Sequence, residues 1–134
     1  TVKFIKITET EVVFGGVGDG WIALKTSDNF VDMVSSNSFS NQTDTILSFD
    51  LKTKFRTQTI ESNSFKSALI STDGFSEDID KENGEAFLIA VFDQIASDAE
   101  AFKCEIEETL THWPVETNRD DKTVVFINRE YNHE

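Results

Sequence analysis

The hydrophobic positions near the start of the chain follow the pattern of short β-strands separated by tight turns. Apolar residues alternate with polar ones or form short runs in four segments: 2–7 (VKFIKI), 11–17 (EVVFGGV), 20–25 (GWIALK) and 30–34 (FVDMV). Breaks at 8–10 and 18–20, which are polar or contain glycine, separate the first three segments, as turns do between strands. We therefore predict four strands before residue 35.

The strand pattern continues more weakly after a polar segment. Residues 35–45 are rich in Ser and Asn and predict a loop. Weaker strand patterns follow at 46–50 (ILSFD) and 54–60 (KFRTQTI), and a more apolar strand is predicted at 66–72. This last strand runs directly into Asp73-Gly74, so a segment predicted to be buried ends on a carboxylate followed by a glycine.

The period of the apolar positions then changes to that of helices. The spacing predicts a first helix over 85–96, whose apolar positions are Phe87, Leu88, Val91, Phe92 and Ile95. Ser97 and Glu100 form an S-x-x-E capping box, which predicts Ser97 as the N-cap of a second helix. One face of that helix carries Ala99, Phe102, Ile106, Leu110 and Trp113. Pro114 follows this stripe and predicts the end of the helix.

A final apolar strand is predicted at 123–128 (TVVFIN), after the two helices. Strands and helices that are segregated in this way predict an α+β fold with antiparallel pairing. If the final strand lies antiparallel to 66–72, the end of one strand and the start of the other share a sheet edge. That pairing would bring Asp73 close to Asp120-Asp121.

Composition and charge narrow the class of protein and its partners. The 134 residues favour one domain, and 38% hydrophobic and 28% charged residues are typical of a globular protein. A net charge of −13 disfavours nucleic acid and anionic membrane surfaces as partners, although solvation alone explains most acidic surfaces. The single cysteine, Cys104, excludes an internal disulfide and fits the reducing cytoplasm, which we take as the expected location.

Carboxylates at strand ends are the residues with the clearest candidate chemistry. Mg²⁺ and Mn²⁺ prefer oxygen ligands, and two such ions about 3.5–4 Å apart activate a water for attack on a phosphoryl group. Asp73 and Asp120 are the natural ligands under the pairing above, and Asp19, in the G-D-G turn, is a third candidate. We predict no catalytic side chain beyond these metal ligands.

Each of these carboxylates also has a plainer interpretation. Asp19 is flanked by the glycines that a tight hairpin demands. Asp73-Gly74 is a favoured turn pair, and Asp120-Asp121 is typical of a solvated loop. The three together, each next to an apolar strand, favour a metal site more than any one of them does, but they do not identify a reaction.

Three longer segments carry a family resemblance. VVFGGVGDGWIAL, ALISTDGFSEDI and NRDDKTVVFI occur in this order and at suitable spacing. Together with SFSNQTDTI they resemble the C-terminal part of the metal-dependent protein phosphatases of the PP2C type, most closely the bacterial branch. In that family, a G-D-[GS] turn precedes an apolar strand that ends in [ST]-D-G. Two helices follow, and R-D-[ND]-x-[ST] opens a final strand.

The resemblance implies a sandwich of two antiparallel sheets flanked by helices, with a binuclear Mn²⁺ or Mg²⁺ centre at one end. It implies hydrolysis of phosphoserine and phosphothreonine in proteins by a metal-activated water. By position, Asp73 would be a ligand shared by the two ions, Asp120 a second ligand, and Asp19 a ligand of a more weakly held third ion. Gly20 and Gly74 would be turn glycines.

The sequence departs from the family in one respect. The family also carries an acidic residue and a D-G-x-G motif in an N-terminal half, and neither occurs here. We therefore expect residues 1–134 to be the C-terminal portion of a single PP2C-like domain whose N-terminal part is absent, incomplete for catalysis by itself. A partner chain or a homo-oligomer would then complete the sandwich, because isolated edge strands are otherwise exposed.

Three functions follow, in order of preference. The first is a PP2C-type serine/threonine phosphatase acting on phosphoproteins. The second is a non-catalytic relative that binds a phosphoprotein or another partner through the same face. The third is an acidic α+β interaction domain without metal, in which replacing Asp73 by Asn would change no activity.

Overall fold

Two antiparallel sheets form the framework of the protein. A computed structural model describes residues 1–34, 55–116 and 118–129. Its strands are β1 (Val2–Ile7), β2 (Glu11–Val17), β3 (Trp21–Thr26), β4 (Phe30–Val34), β5 (Arg56–Glu61), β6 (Phe65–Ser71) and β7 (Val124–Asn128). One sheet has the strand order β1-β2-β5 and the other the order β4-β3-β6-β7. All neighbouring strands in both sheets are antiparallel.

Three α-helices lie between β6 and β7 in the chain. They are α1 (Asp73–Ser76), α2 (Gly84–Ser97) and α3 (Ala99–Thr111), and 3₁₀ turns occur at Ser62–Ser64 and Lys81–Asn83. In the described part of the chain, no helix has the length and apolar character that crossing a membrane requires.

One hydrophobic cluster fills the space between the two sheets. Its fully buried members include Val12 and Phe14 of β2, which pack with Ile22 and Leu24 of β3. Because side chains alternate along a strand, these positions take one face of each sheet. The inner face of the smaller sheet is therefore packed against one face of the larger.

A second cluster covers the opposite face of the four-stranded sheet. Trp21 and Ala23 of β3 pack there with Leu69 of β6, and helix residues Leu88 and Phe92 close over them. The four-stranded sheet is thus buried on both sides, with the small sheet on one side and helices on the other. This double burial explains why consecutive residues 21–24 are all fully buried.

The predicted elements are confirmed with small changes at their ends. The α+β class is confirmed, and every predicted strand and helix in the described residues is present. The strands predicted at 20–25, 54–60, 66–72 and 123–128 span Trp21–Thr26, Arg56–Glu61, Phe65–Ser71 and Val124–Asn128. The loop predicted at 35–45 and the strand at 46–50 lie outside the described residues. Helix α1 was not predicted, because Asp73-Gly74 has the composition of a turn but opens one turn of helix in the structure.

The predicted N-cap of the last helix is wrong by one residue. Ser97 is the last residue of α2, and the cap of α3 is Asp98, whose Oδ1 accepts a hydrogen bond from the N–H of Ala101 at 3.0 Å. Asp98 has the extended backbone that an N-cap adopts, and it alone separates the two helices. The helix thus starts one residue later than the capping-box pattern predicts.

We expect Asp98→Ala to lower the free energy of unfolding by about 1 kcal/mol, because α3 loses its capping acceptor. Ser97→Ala is the matched control and should stay within about 0.5 kcal/mol of the parent, since Ser97 is exposed within α2. Urea unfolding followed by circular dichroism measures both. Equal losses in the two variants would contradict the assignment of the cap.

Candidate metal centre

The three predicted carboxylates follow or precede strands at the same end of the four-stranded sheet. The register pairs Trp21 with Ser71 and Ser71 with Val124, so these three residues lie side by side across β3, β6 and β7. The antiparallel pairing of the strands at 66–72 and 123–128 is therefore as predicted. Asp19 precedes this row by two residues, Asp73 follows it by two, and Asp120 precedes it by four.

Hydrogen bonds of Thr72 extend the pairing of β6 and β7 up to Asp73. The N–H of Thr72 donates to the carbonyl O of Thr123 at 3.0 Å, and its Oγ1 accepts from the N–H of Thr123 at 3.0 Å. The same hydroxyl donates to the carbonyl O of Asp121 at 3.2 Å. Asp73 is thus the first residue beyond a pairing that also holds residues 121 and 123, next to Asp120.

Gly74 brings the segments that carry Asp73 and Asp120 together. A Cβ at Gly74 would lie 2.6 Å from the carbonyl O of Asp121 and 3.1 Å from the Cβ of Asp120. Contacts this short with backbone atoms exclude any larger residue unless the backbone moves. Glycine is required here for close approach, and the two acidic segments are in van der Waals contact as a result.

Gly20 has a different role in placing the Asp19 turn. Its φ is +104°, and a Cβ there would lie 2.4 Å from the carbonyl O of Ser71. Residues other than glycine rarely adopt this φ, so glycine is required both for the turn and for its packing against the end of β6. The Asp19 turn is therefore held against the strand that leads to Asp73.

The carboxylates differ in exposure and surroundings. Asp73 is partly buried, and its Oδ1 accepts from the N–H of Gly74 at 2.9 Å, whereas Asp120 is exposed. Asp19 is partly buried near Lys3, whose Nζ donates to the carbonyl O of Gly18 at 2.8 Å. Burial lowers the pKa of Lys3, and the negative charge of Asp19 partly offsets that effect.

The donor set at this edge suits a hard divalent ion that keeps several waters. Asp73 and Asp120 offer carboxylate oxygens from adjoining segments, and Mg²⁺ is commonly bound by one or two protein carboxylates with water in the remaining positions. Within residues 1–34, 55–116 and 118–129, no three His, Cys, Asp or Glu side chains are grouped closely enough to enclose a metal ion. The three predicted ligands therefore share one edge without forming a closed cage.

A polar network beside this edge was not predicted from the sequence. Its members are Asp78, Trp113, Asn118 and Lys122, which lie on three separate segments of the chain. The sequence predicts Trp113 only as part of the apolar stripe of the second helix. In the structure Trp113 lies two residues beyond α3, and its Nε1 donates to Asp78 Oδ2 at 2.7 Å. The one signal in the sequence is that Asp78 and Asn118 lie within five residues of Asp73 and Asp120.

Comparison with known protein families gives a match over most of the chain. A protein-family model described as "Protein phosphatase 2C" matches residues 1–113 of the 134. The matched region includes Asp19 and Asp73, and it ends before Asp120. No curated protein and no solved structure matches the chain significantly.

We expect Gly74→Ala to lower the free energy of unfolding by about 1–3 kcal/mol, because the new methyl group overlaps the backbone of Asp121. Gly84→Ala is the control. A Cβ there would first meet side-chain atoms of the Trp21 ring, at 3.2 Å, so it requires the ring to shift by a few tenths of an ångström and does not overlap backbone atoms. Urea unfolding compares the two variants, and a Gly74→Ala protein as stable as Gly84→Ala would contradict the close approach.

Proposed function

This chain belongs to the protein phosphatase 2C family, and we propose that it contributes to a domain that hydrolyses phosphoserine and phosphothreonine in proteins. The observation that carries the proposal is the contact between the Asp73-Gly74 and Asp120-Asp121 segments. Two carboxylates that are 47 positions apart in the sequence are thereby brought to one rigid sheet edge. Rigid placement of this kind is what a metal-dependent hydrolase requires of its ligands.

We propose that Asp73 and Asp120 hold Mn²⁺ or Mg²⁺, and that Asp19 assists a further ion at the adjoining turn. A bound pair of such ions supplies a nucleophilic water at neutral pH and stabilises negative charge on the phosphoryl group. The chain itself orients the two carboxylates through the Thr72–Thr123 pairing and the close approach at Gly74. Its net charge of −13 also favours divalent cations near the surface.

The chain supplies only part of such a centre. The sequence contains no D-G-x-G motif, and two carboxylates are few for a binuclear site. We propose that the remaining ligands come from another part of the domain or from a partner chain that completes the sandwich. We also propose a cytoplasmic location, where reducing conditions keep the exposed thiol of Cys104 free.

The first test is hydrolysis of a phosphothreonine peptide by this chain with and without Mn²⁺. Where a second copy of the chain completes the centre, we expect hydrolysis stimulated by Mn²⁺. We then expect Asp73→Asn and Asp120→Asn to reduce it by more than about 100-fold, since loss of a ligand should exceed the 10–100-fold effect typical of its supporting residues. Asp93→Asn, an equal charge change at an exposed position of α2, should leave the rate unchanged.

The outcomes separate the candidate functions. Hydrolysis that survives Asp73→Asn would contradict the proposed site. Binding of the phosphopeptide without hydrolysis would favour the non-catalytic relative, in which the same edge recognises a phosphoprotein. No effect of Asp73→Asn on hydrolysis or on binding would favour an interaction domain without metal.

A further inference from the structure

Asn118 connects the two segments that carry the candidate metal ligands. Its Nδ2 donates to the carbonyl O of Gly74 at 3.0 Å and to Oδ2 of Asp78 at 2.6 Å. Its Oδ1 accepts from the N–H of Asp120 at 3.2 Å. One amide side chain thus binds the residue after Asp73 on one side and the backbone of Asp120 on the other.

The orientation of this amide is fixed by what surrounds it. A carbonyl and a carboxylate accept from Nδ2, so the NH₂ group must face them and Oδ1 must face Asp120. Asp78 is itself held by Trp113, whose Nε1 donates to the same Oδ2 at 2.7 Å. The Trp113 ring packs against the fully buried Phe75 of α1, with 5.5 Å between ring centroids. The amide of Asn118 is therefore linked, through Asp78 and Trp113, to the hydrophobic core.

Lys122 holds the loop that carries Asp120 by binding main-chain atoms of Asn118 and Asp120. Its Nζ donates to the carbonyl O of Asn118 at 3.1 Å and to that of Asp120 at 2.9 Å. The ammonium group also lies 5.2 Å from the centroid of the Trp113 ring, within range of a cation–π interaction. The backbone of residues 118–122 is thus fixed relative to α1.

We propose that Asn118, held in place by Asp78, is a positioning residue that sets the separation of the Asp73 and Asp120 carboxylates for metal binding. The inference rests on the proposed function, because it assumes that these two residues hold the ion. Groups that support metal ligands in this way typically change metal affinity by about 10–100-fold when removed. A loop tether without this role would change stability and leave the affinity of the folded protein unchanged.

The chain offers a matched control for Asn118. Asn83 donates through Nδ2 to Asp80 Oδ2 at 2.7 Å, so it makes the same kind of Asn–Asp bond, but between residues only three positions apart. The experiment titrates Mn²⁺ into the ¹⁵N-labelled chain and follows paramagnetic broadening of the amide signals of Gly74 and Asp121. We expect Asn118→Ala to need about tenfold more Mn²⁺ for half-broadening, and Asn83→Ala to stay within about twofold of the parent.

The controls distinguish failure of this inference from failure of the proposed function. If Asp73→Asn abolishes the broadening and Asn118→Ala leaves its midpoint unchanged, the positioning role is wrong and the metal site stands. If the parent chain shows no selective broadening at these amides, the proposed metal site fails and the role of Asn118 fails with it.

A second pair of variants decides the question if Asn118→Ala lacks the dispersed amide spectrum of the folded chain. Asp78→Ala removes the acceptor that holds Asn118, and Asp80→Ala makes the same change in charge at the control pair. We expect Asp78→Ala to raise the Mn²⁺ midpoint at least about threefold above that of Asp80→Ala. Equal midpoints for the two folded variants would overturn the inference.

Discussion

Burial of the four-stranded sheet on both faces is the constraint on which the rest of the structure depends. Side chains of β3 alternate between the small sheet, through Ile22 and Leu24, and the helices, through Trp21 and Ala23. A shift of one residue in register would exchange these two sets, placing Trp21 in the narrow space between the sheets. Neither face tolerates such an exchange, so the register of β3 with β6 is fixed by packing.

That fixed register determines where the strands end, and therefore where the carboxylates lie. Trp21, Ser71 and Val124 form one row across the sheet, and the acidic segments begin within a few residues of it. Loops alone would place Asp73 and Asp120 with little precision, because their backbones are free to move. Here, the hydrogen bonds between Thr72 and Thr123 extend the strand pairing beyond the last residues of β6 and β7. Gly74 then allows the Asp73 segment to contact the Asp120-Asp121 segment.

The parts of this arrangement that depend on pattern were predictable from the sequence. Continuous apolar runs identified β3 and β7, and the segregation of helices before the last strand predicted the pairing that brings Asp73 toward Asp120. The Asp98 cap was missed because Ser97 and Glu100 match the capping-box pattern, whereas in the structure α2 extends through Ser97 and Asp98 caps α3. The role of Asn118 was not predictable, since its partners Gly74 and Asp78 are 40 or more residues away and only the tertiary fold brings them together.

The network around Asn118 has a chemical property that suits a metal centre. Two carboxylates held at one edge repel each other, and the simplest way to fix them would be a salt bridge to each. A lysine or arginine bound to a carboxylate would, however, compete with a cation for the same oxygens. Asn118 and Lys122 instead bind backbone atoms, the carbonyl of Gly74 and the N–H and carbonyl of Asp120. The segments that carry Asp73 and Asp120 are thereby positioned through main-chain atoms, which is the arrangement that the proposed metal site requires.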